Sequence, residues 1–183
     1  MRSIEWAARY AEDLLADDGH RWLHSKAVAS KAAELADRLR LPDGDVLVAA
    51  AYLHDVGYAP AVALTGFHPL DGGRHLRQLG EDRLAVLAAQ HGGSAEEAAL
   101  RQLADAMAEF HREESHVARL LDYCDLTIGP NGEDMSPDER LADVQNRYGP
   151  EHVVTRGLRL AWPRLMEELS ETEELLVAAG QPR

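Results

Sequence analysis

A histidine and an aspartate stand side by side at the end of an apolar run, and this pair is the first candidate for chemistry. Eight apolar residues, 46–53, lead directly into His54-Asp55, and Gly57 follows two residues later. An uninterrupted apolar run is typical of a helix that is buried on all sides. The C-terminal end of a helix repels a carboxylate. The sequence therefore predicts a cation beside His54 and Asp55.

Four more residues of metal-binding type lie at predicted helix ends or on apolar helix faces: His24, His68, His91 and Asp125. Imidazole and carboxylate ligands suit iron, manganese, zinc, cobalt or nickel. A bound divalent ion would lower the pKa of its water towards ~7 and supply hydroxide near neutral pH. Adjacent helical side chains point about 100° apart. His54 and Asp55 can therefore reach one ion only beside the helix end, unless the carboxylate bridges two ions.

The elements that must position these residues are all predicted to be helical. Apolar residues recur at helical spacing and no stretch alternates strictly between apolar and polar residues, which predicts an all-α fold. Asp43 or Asp45 is expected to cap the buried helix, and Pro163 can kink the last one. The predicted helices cover residues 3–17, 20–39, 46–53, 68–79, 81–90, 94–107, 115–125 and 136–148, with a helical turn at 60–64 and a final helix that ends near 179.

Composition limits the class of partner. The chain has 183 residues, 45% of them apolar, and a formal charge of −13. This length predicts a single domain over residues 1–183. The acidic charge argues against a nucleic-acid polymer or an anionic membrane surface and favours a small-molecule substrate.

A single cysteine, Cys124, and the lack of a signal-peptide core favour the cytoplasm. The acidic segment 167–174, with interleaved leucines, is expected to pack on the domain or to form a homodimer contact.

The pattern His24…His54-Asp55…Asp125 resembles the signature of the HD superfamily of metal-dependent phosphohydrolases. The resemblance covers about residues 20–130 and implies an HD-type helical bundle on which helices 136–179 pack. It implies that these four residues bind one metal ion. It is carried also by the neighbouring segments 21–25, 49–57 and 68–73.

The resemblance further implies a dinuclear centre. Relatives with two metal ions have additional histidines where His68 and His91 stand, and the aspartate of the His-Asp pair bridges the ions. Two divalent ions are therefore expected, iron or manganese first, with cobalt, nickel, zinc or magnesium as alternatives. Some relatives have a His-His pair where this chain has Gln90-His91. His75 lies on roughly the same helix face as His68 and is the alternative candidate for the same ligand position.

Arg21 and Tyr58 are the candidate substrate-binding residues. Arg21 precedes His24 by three residues and shares its helix face, and a guanidinium suits phosphate oxygens. Relatives with nucleotidase activity carry an arginine there, whereas Tyr58 stands where many relatives carry a lysine that meets phosphate. Asp122 shares a helix face with Asp125 and is expected to support it or to be exposed.

Three functions follow from the resemblance. The first is hydrolysis of a small phosphate ester or nucleotide by a metal-bound hydroxide that Asp55 orients as the catalytic residue. The alternative is a di-iron HD-domain oxygenase that acts on an organophosphonate or polyol. The third is a non-catalytic regulatory binding module, which predicts that ligands have been lost.

Overall fold

The computed structural model describes residues 2–180 of the chain. These residues form ten α-helices and no β-strand, which confirms the predicted all-α fold. A short 3₁₀ helix, Val56–Tyr58, follows the third helix. The α-helices are α1 Ile4–Leu15, α2 Gly19–Leu39, α3 Gly44–Leu53, α4 His68–Gln78, α5 Asp82–Gln90, α6 Ser94–Leu100, α7 Ala104–Met107, α8 His116–Leu126, α9 Pro137–Tyr148 and α10 Val153–Gly180.

Helix α3 lies at the centre of the core, as its apolar sequence predicts. All residues from 46 to 51 are buried, as is Leu53, and Tyr52 is partly exposed. Helices α1, α2, α5 and α8 contact it. Three successive alanines, 49–51, leave room for close approach, because small side chains at a contact shorten the distance between helix axes. The packed helix therefore fixes the position of His54, which follows its last residue.

Gly57 brings the start of α4 against the end of α3. A side chain at Gly57 would collide with the backbone of His68 and of Gly72. Asp55 has already left the helix, with φ −98° and ψ 4°, and the 3₁₀ helix turns the chain away. The glycine that stops the apolar run thus places His68 next to Asp55.

The helix predicted over 94–107 is wrong: the chain forms α6 and α7, with Gln102 between them in a left-handed conformation (φ 61°). The N–H of Leu103 donates to the carbonyl of Ala98, and that of Gln102 to Ala99, a pattern that ends helices. Because the left-handed residue is a glutamine rather than a glycine, the sequence carries no signal for this stop.

The predicted cap of α3 is right in position only. Asp43 occupies the position before the helix, but its side chain accepts no capping hydrogen bond. Its carboxylate instead lies 3.0 Å from a guanidinium nitrogen of Arg83. At 60–64 the chain forms a single turn, in which Val62 and Ala63 donate to the carbonyl of Ala59.

The last two helices contact the elements that carry the candidate ligands. Helix α10 contacts α2, α6, α8 and α9 and continues through Pro163. Gly157 allows its close approach to α6, since a side chain there would collide with Glu97. No described helix has the length and apolar character needed to cross a membrane.

Candidate metal centre and substrate cleft

The six predicted ligands converge at one place in the structure. Three overlapping groups each have ligand atoms within 4.8 Å of one another. The groups are His24–His54–Asp55, His54–His91–Asp125 and Asp55–His68–His91. The structure therefore brings together all six residues, while metal binding by each of them stays a prediction.

Backbone carbonyls orient three of the four histidine rings. In each ring the Nδ1–H donates a hydrogen bond, so in the neutral imidazole the lone pair is on Nε2, where it can bind a metal ion. The pairs are His54 to Ala51 at 2.8 Å, His91 to Ala88 at 2.6 Å and His24 to Gly129 at 3.1 Å. This arrangement is the usual one for histidine ligands.

The Nε2 atom of His54 provides a direct test of whether a metal ion fits. This atom is buried and has no hydrogen-bond partner among the described residues. It faces Asp55 Oδ1 at 3.7 Å and Asp125 Oδ1 at 3.8 Å, both too far for a hydrogen bond. A buried unpaired polar atom costs about 1–3 kcal/mol. A divalent cation among these three atoms would satisfy all of them, so the donor set fits such an ion.

Asp55 lies between the two groups of histidines. Its Oδ1 is 3.7 Å from His54 Nε2 and 3.4 Å from His68 Nε2, and its Oδ2 accepts a hydrogen bond from Arg21 at 3.1 Å. Burial opposes ionisation of Asp55, but the fields of His54 and Arg21 hold the pKa of this carboxyl well below its usual range. Asp55 is therefore an anion at neutral pH in a position that suits a bridging ligand.

Asp125 extends the site from helix α8. Its Oδ1 lies 3.0 Å from His24 Nε2 and 3.5 Å from a guanidinium nitrogen of Arg140. Burial would raise the pKa of Asp125, but the hydrogen bond with His24 and the proximity of His54 hold it well below its usual range. The site thus has a second ionised carboxylate.

His68 and His91 face each other, with their Nε2 atoms 3.3 Å apart. Burial holds the pKa of His68 well below its usual value, and Asp55 offsets this effect only in part. His68 is therefore neutral at neutral pH. Neutral imidazole is the form that binds metal ions.

Tyr58 and Arg21 stack beside His68. The Tyr58 and His68 ring centroids are 3.9 Å apart with an angle of 15° between the rings, and the Arg21 guanidinium carbon lies 3.7 Å from the Tyr58 centroid. Burial raises the pKa of the Tyr58 hydroxyl, so it is uncharged at neutral pH. Tyr58 therefore contributes stacking, and Arg21 contributes the positive charge.

Charged side chains hold the turn that follows His91. The N–H of Gly92 donates to Asp122 Oδ1 at 2.6 Å, and Arg164 donates to the carbonyl of Gly92 at 3.0 Å. Asp122 is buried, one turn before Asp125 on α8. Burial raises the pKa of Asp122 to about 6, against the opposing effect of Arg112.

Arg112 also helps to hold the turn that follows His91. It donates to Asp122 at 3.0 Å, to the carbonyl of Gln90 at 3.1 Å and to Glu168 of α10 at 2.8 Å. Helices α8 and α10 thereby fix the backbone on both sides of His91.

A cleft of about 110 Å³ opens over the ligand cluster. Helix α9 forms part of its wall through Arg140, Val144, Arg147 and Tyr148, which lie on one helix face. Sequence reasoning missed both of these arginines. Their spacing marks a helix face, but it does not show which part of the fold that face meets.

Other candidate residues lie elsewhere. The Nε2 atom of His75 is 2.7 Å from the hydroxyl of Tyr10, so His75 is engaged outside the cluster and is not a rival of His68. Burial raises the pKa of the Cys124 thiol to about 12, which fits a packing role. The remaining histidines are exposed, and they are His20, His111, His116 and His152.

Comparisons with known proteins agree with this geometry. The family model described as HD domain matches residues 21–145. No curated protein and no solved structure matches the chain. The matched segment contains all six candidate ligands, Arg21 and Tyr58, and it ends just before Arg147. The chain belongs to the HD domain family, whose members are mostly metal-dependent hydrolases.

Proposed function

We propose that this protein hydrolyses a small phosphate ester or a nucleotide with the help of two divalent transition-metal ions, iron or manganese in the first place. One observation carries the proposal. The Nε2 atoms of His24, His54 and His91 converge on two ionised carboxylates, and the guanidinium of Arg21 stands beside them.

The ligands divide naturally between two ions. His24, His54 and Asp125 would hold the first, His68 and His91 the second, and Asp55 would serve both. The position of Asp55 Oδ1 between His54 and His68 supports this division. When bound, such ions lower the pKa of a coordinated water and polarise phosphoryl oxygens.

Arg21 is suited to hold the substrate phosphate. A guanidinium has five N–H donors, and Arg21 contacts Asp55 through a single nitrogen. Its other donors can meet two phosphate oxygens as a fork. The ring of Tyr58 keeps the guanidinium plane oriented. The ionised Asp55 can accept a hydrogen bond from a water molecule and so orient the water oxygen towards phosphorus.

The experiment is metal-dependent release of inorganic phosphate. Metal-free protein is reloaded with manganese, iron or cobalt and tested on p-nitrophenyl phosphate and a nucleotide panel. Loss of a charge-assisted hydrogen bond costs about 1.5–3 kcal/mol, so Arg21→Ala should lower kcat/KM roughly 10–100-fold. Lys26→Ala is the matched control, because exposed Lys26 lies on the same helix but over Trp22, 5.1 Å from its ring centroid. Fully metal-loaded protein that releases no phosphate from any compound would contradict the proposal.

A di-iron oxygenase that acts on an organophosphonate or polyol is the second candidate. The same position of Asp55 between two histidine groups favours it, since a bridging carboxylate suits a di-iron pair. Anaerobic loading with ferrous iron, followed by oxygen, separates the two functions. Oxygen consumption and a mixed-valent spectroscopic signal support the oxygenase, and an oxygen-insensitive centre excludes it. A non-catalytic regulatory module predicts that ligands have been lost, whereas all six candidate ligand residues are present and lie together.

A further inference from the structure

A second cleft adjoins the cleft over the candidate metal centre. Its volume is about 290 Å³, against about 110 Å³ for the first. Arg21, Arg140 and Arg147 line both clefts, so three guanidiniums stand where the two meet. Small-molecule pockets have volumes from about 300 Å³ upwards. The second cleft is close to this size and the first is well below it, so the second can take a larger part of a substrate.

Arg140 and Arg147 of α9 share a single carboxylate outside the candidate metal ligands. Asp143 lies 3.6 Å from Arg140, and it accepts from two nitrogens of Arg147, Nε at 2.9 Å and one Nη at 2.7 Å. The remaining Nη of Arg147 keeps its two N–H donors. Arg140 also lies 3.5 Å from Asp125, but a metal ion would draw on that carboxylate. With Asp125 taken by a metal ion, Arg140 and Arg147 would have one carboxylate between them. This would be a local excess of positive charge in a chain whose formal charge is −13. Arginine forks match the geometry of phosphate oxygens.

The other polar side chains of the second cleft do not cancel this charge. His20 and Asn131 meet through a 2.7 Å contact between Nδ1 and Oδ1, which leaves the amide N–H₂ of Asn131 as a donor. Asp18 is the one acidic residue among the described residues that line this cleft, and it accepts the backbone N–H of Arg21 at the start of α2. The lining therefore favours an anion.

We propose that the second cleft binds a second phosphate group of the substrate. The substrate is then a small bisphosphorylated molecule, with one phosphate at the metal centre and the other against Arg140 and Arg147. This inference rests on the proposed function for the identity of the first phosphate. Binding in the second cleft does not depend on turnover.

Non-hydrolysable probes test this inference separately from hydrolysis. Manganese-loaded protein is titrated by calorimetry with propylphosphonate and with alkane bisphosphonates whose linkers have two to six carbons. Their C–P bonds survive phosphate-ester hydrolysis, so binding is read whether or not the protein hydrolyses esters. One linker length should bind at least roughly tenfold more tightly than propylphosphonate, as expected for one added charge-assisted contact.

Two variants show where the second phosphonate lies. Arg147→Ala should abolish the preference for the bisphosphonate, and it should lower the affinity for propylphosphonate much less than the affinity for the bisphosphonate. Arg159→Ala is the matched control, because Arg159 of α10 contacts Gln145 and lies outside both clefts. Chelation of manganese by a probe would not respond to Arg147→Ala, so a preference that survives this variant overturns the proposal. Equal binding of mono- and bisphosphonates at every linker length also overturns it, as does equally tight binding of a probe with a terminal carboxylate.

Discussion

The two halves of the candidate centre are built differently. We call His24, His54 and Asp125 the inner half and His68 and His91 the outer half, with Asp55 shared between them. In the inner half both histidines are almost fully buried, with 2% and 0% of their surface exposed. Both also donate Nδ1–H to a backbone carbonyl. The inner half is therefore held by backbone carbonyls, one in α3 and one in the loop that follows α8.

The outer half depends more on side chains. His68 has 16% of its side chain exposed and stacks on Tyr58. His91 follows the end of α5, and the adjacent turn is held by Asp122 and Arg164. Of the two outer histidines only His91 donates Nδ1–H to a backbone carbonyl, that of Ala88, whereas both inner histidines do so.

The difference predicts unequal metal affinities. A site whose ligands are held in place before binding loses less entropy when the ion arrives. Of the two ions that we propose, the inner one should therefore bind more tightly, and the outer one should respond to smaller changes in the protein.

Asp55→Ala should give the largest effect, because this residue belongs to both halves. We expect loss of both ions, measured by elemental analysis of the purified variant. All metal-dependent activity should be lost with them. Asp134→Ala is the control, since that exposed carboxylate pairs with Lys31 away from the cluster. Retention of two ions in Asp55→Ala would show that the halves do not share a ligand.

His24→Ala and His68→Ala should have unequal effects. His68→Ala should keep one ion per chain, because the inner half is complete without it. His24→Ala should weaken binding of the inner ion and leave less than one ion bound at the same metal concentration. Stoichiometry after equilibrium dialysis gives the comparison, and equal losses would mean that the halves are equivalent.

Replacing Tyr58 should loosen the outer half alone. Tyr58→Leu removes an aromatic stack worth about 0.5–1.5 kcal/mol, so the affinity for the outer ion should fall roughly 2- to 10-fold. Tyr58→Phe keeps the ring and is the matched control. Titration of each variant with manganese measures the weaker binding step. A decrease in Tyr58→Phe as large as in Tyr58→Leu would exclude stacking as the cause.

The smallest effect concerns an ion pair away from both halves. A hydrogen bond from Arg83 lowers the pKa of Glu113 below its ordinary value of 4.5. The pair therefore stabilises the fold fully above pH 4.5, and this contribution is lost as the pH falls through the lowered pKa. Glu113→Gln should lower the free energy of unfolding by no more than about 1 kcal/mol at pH 7. The free energy of unfolding of this variant should also depend less on pH in the acid range. Unchanged metal content, with a change in chemical denaturation alone, is the expected result.

Much of the fold could be predicted from the sequence because its strongest signals are local. The apolar run 46–53 predicts a buried helix, and Gly57 lets α4 approach just beyond its end. The stop at Gln102 could not be predicted, since a glutamine in a left-handed conformation leaves no mark in the sequence.

The candidate ligands could also be predicted, because metal-binding residues at helix ends form a recognisable pattern. The arginines of α9 could not. Arg140 and Arg147 share a helix face, but their role depends on α9 lying across the cleft, and that contact joins distant parts of the chain. The clamp of Asp122 and Arg112 on the turn after His91 depends on tertiary contacts in the same way.

A metal titration of the metal-free protein tests the central claim most directly. Manganese or anaerobic ferrous iron is added in a calorimeter, and the bound metal is confirmed by elemental analysis. We predict two equivalents per chain in two steps of different affinity, with the weaker step absent in His68→Ala. A single equivalent, or a weaker step that persists in His68→Ala, would contradict a centre built from an inner and an outer half.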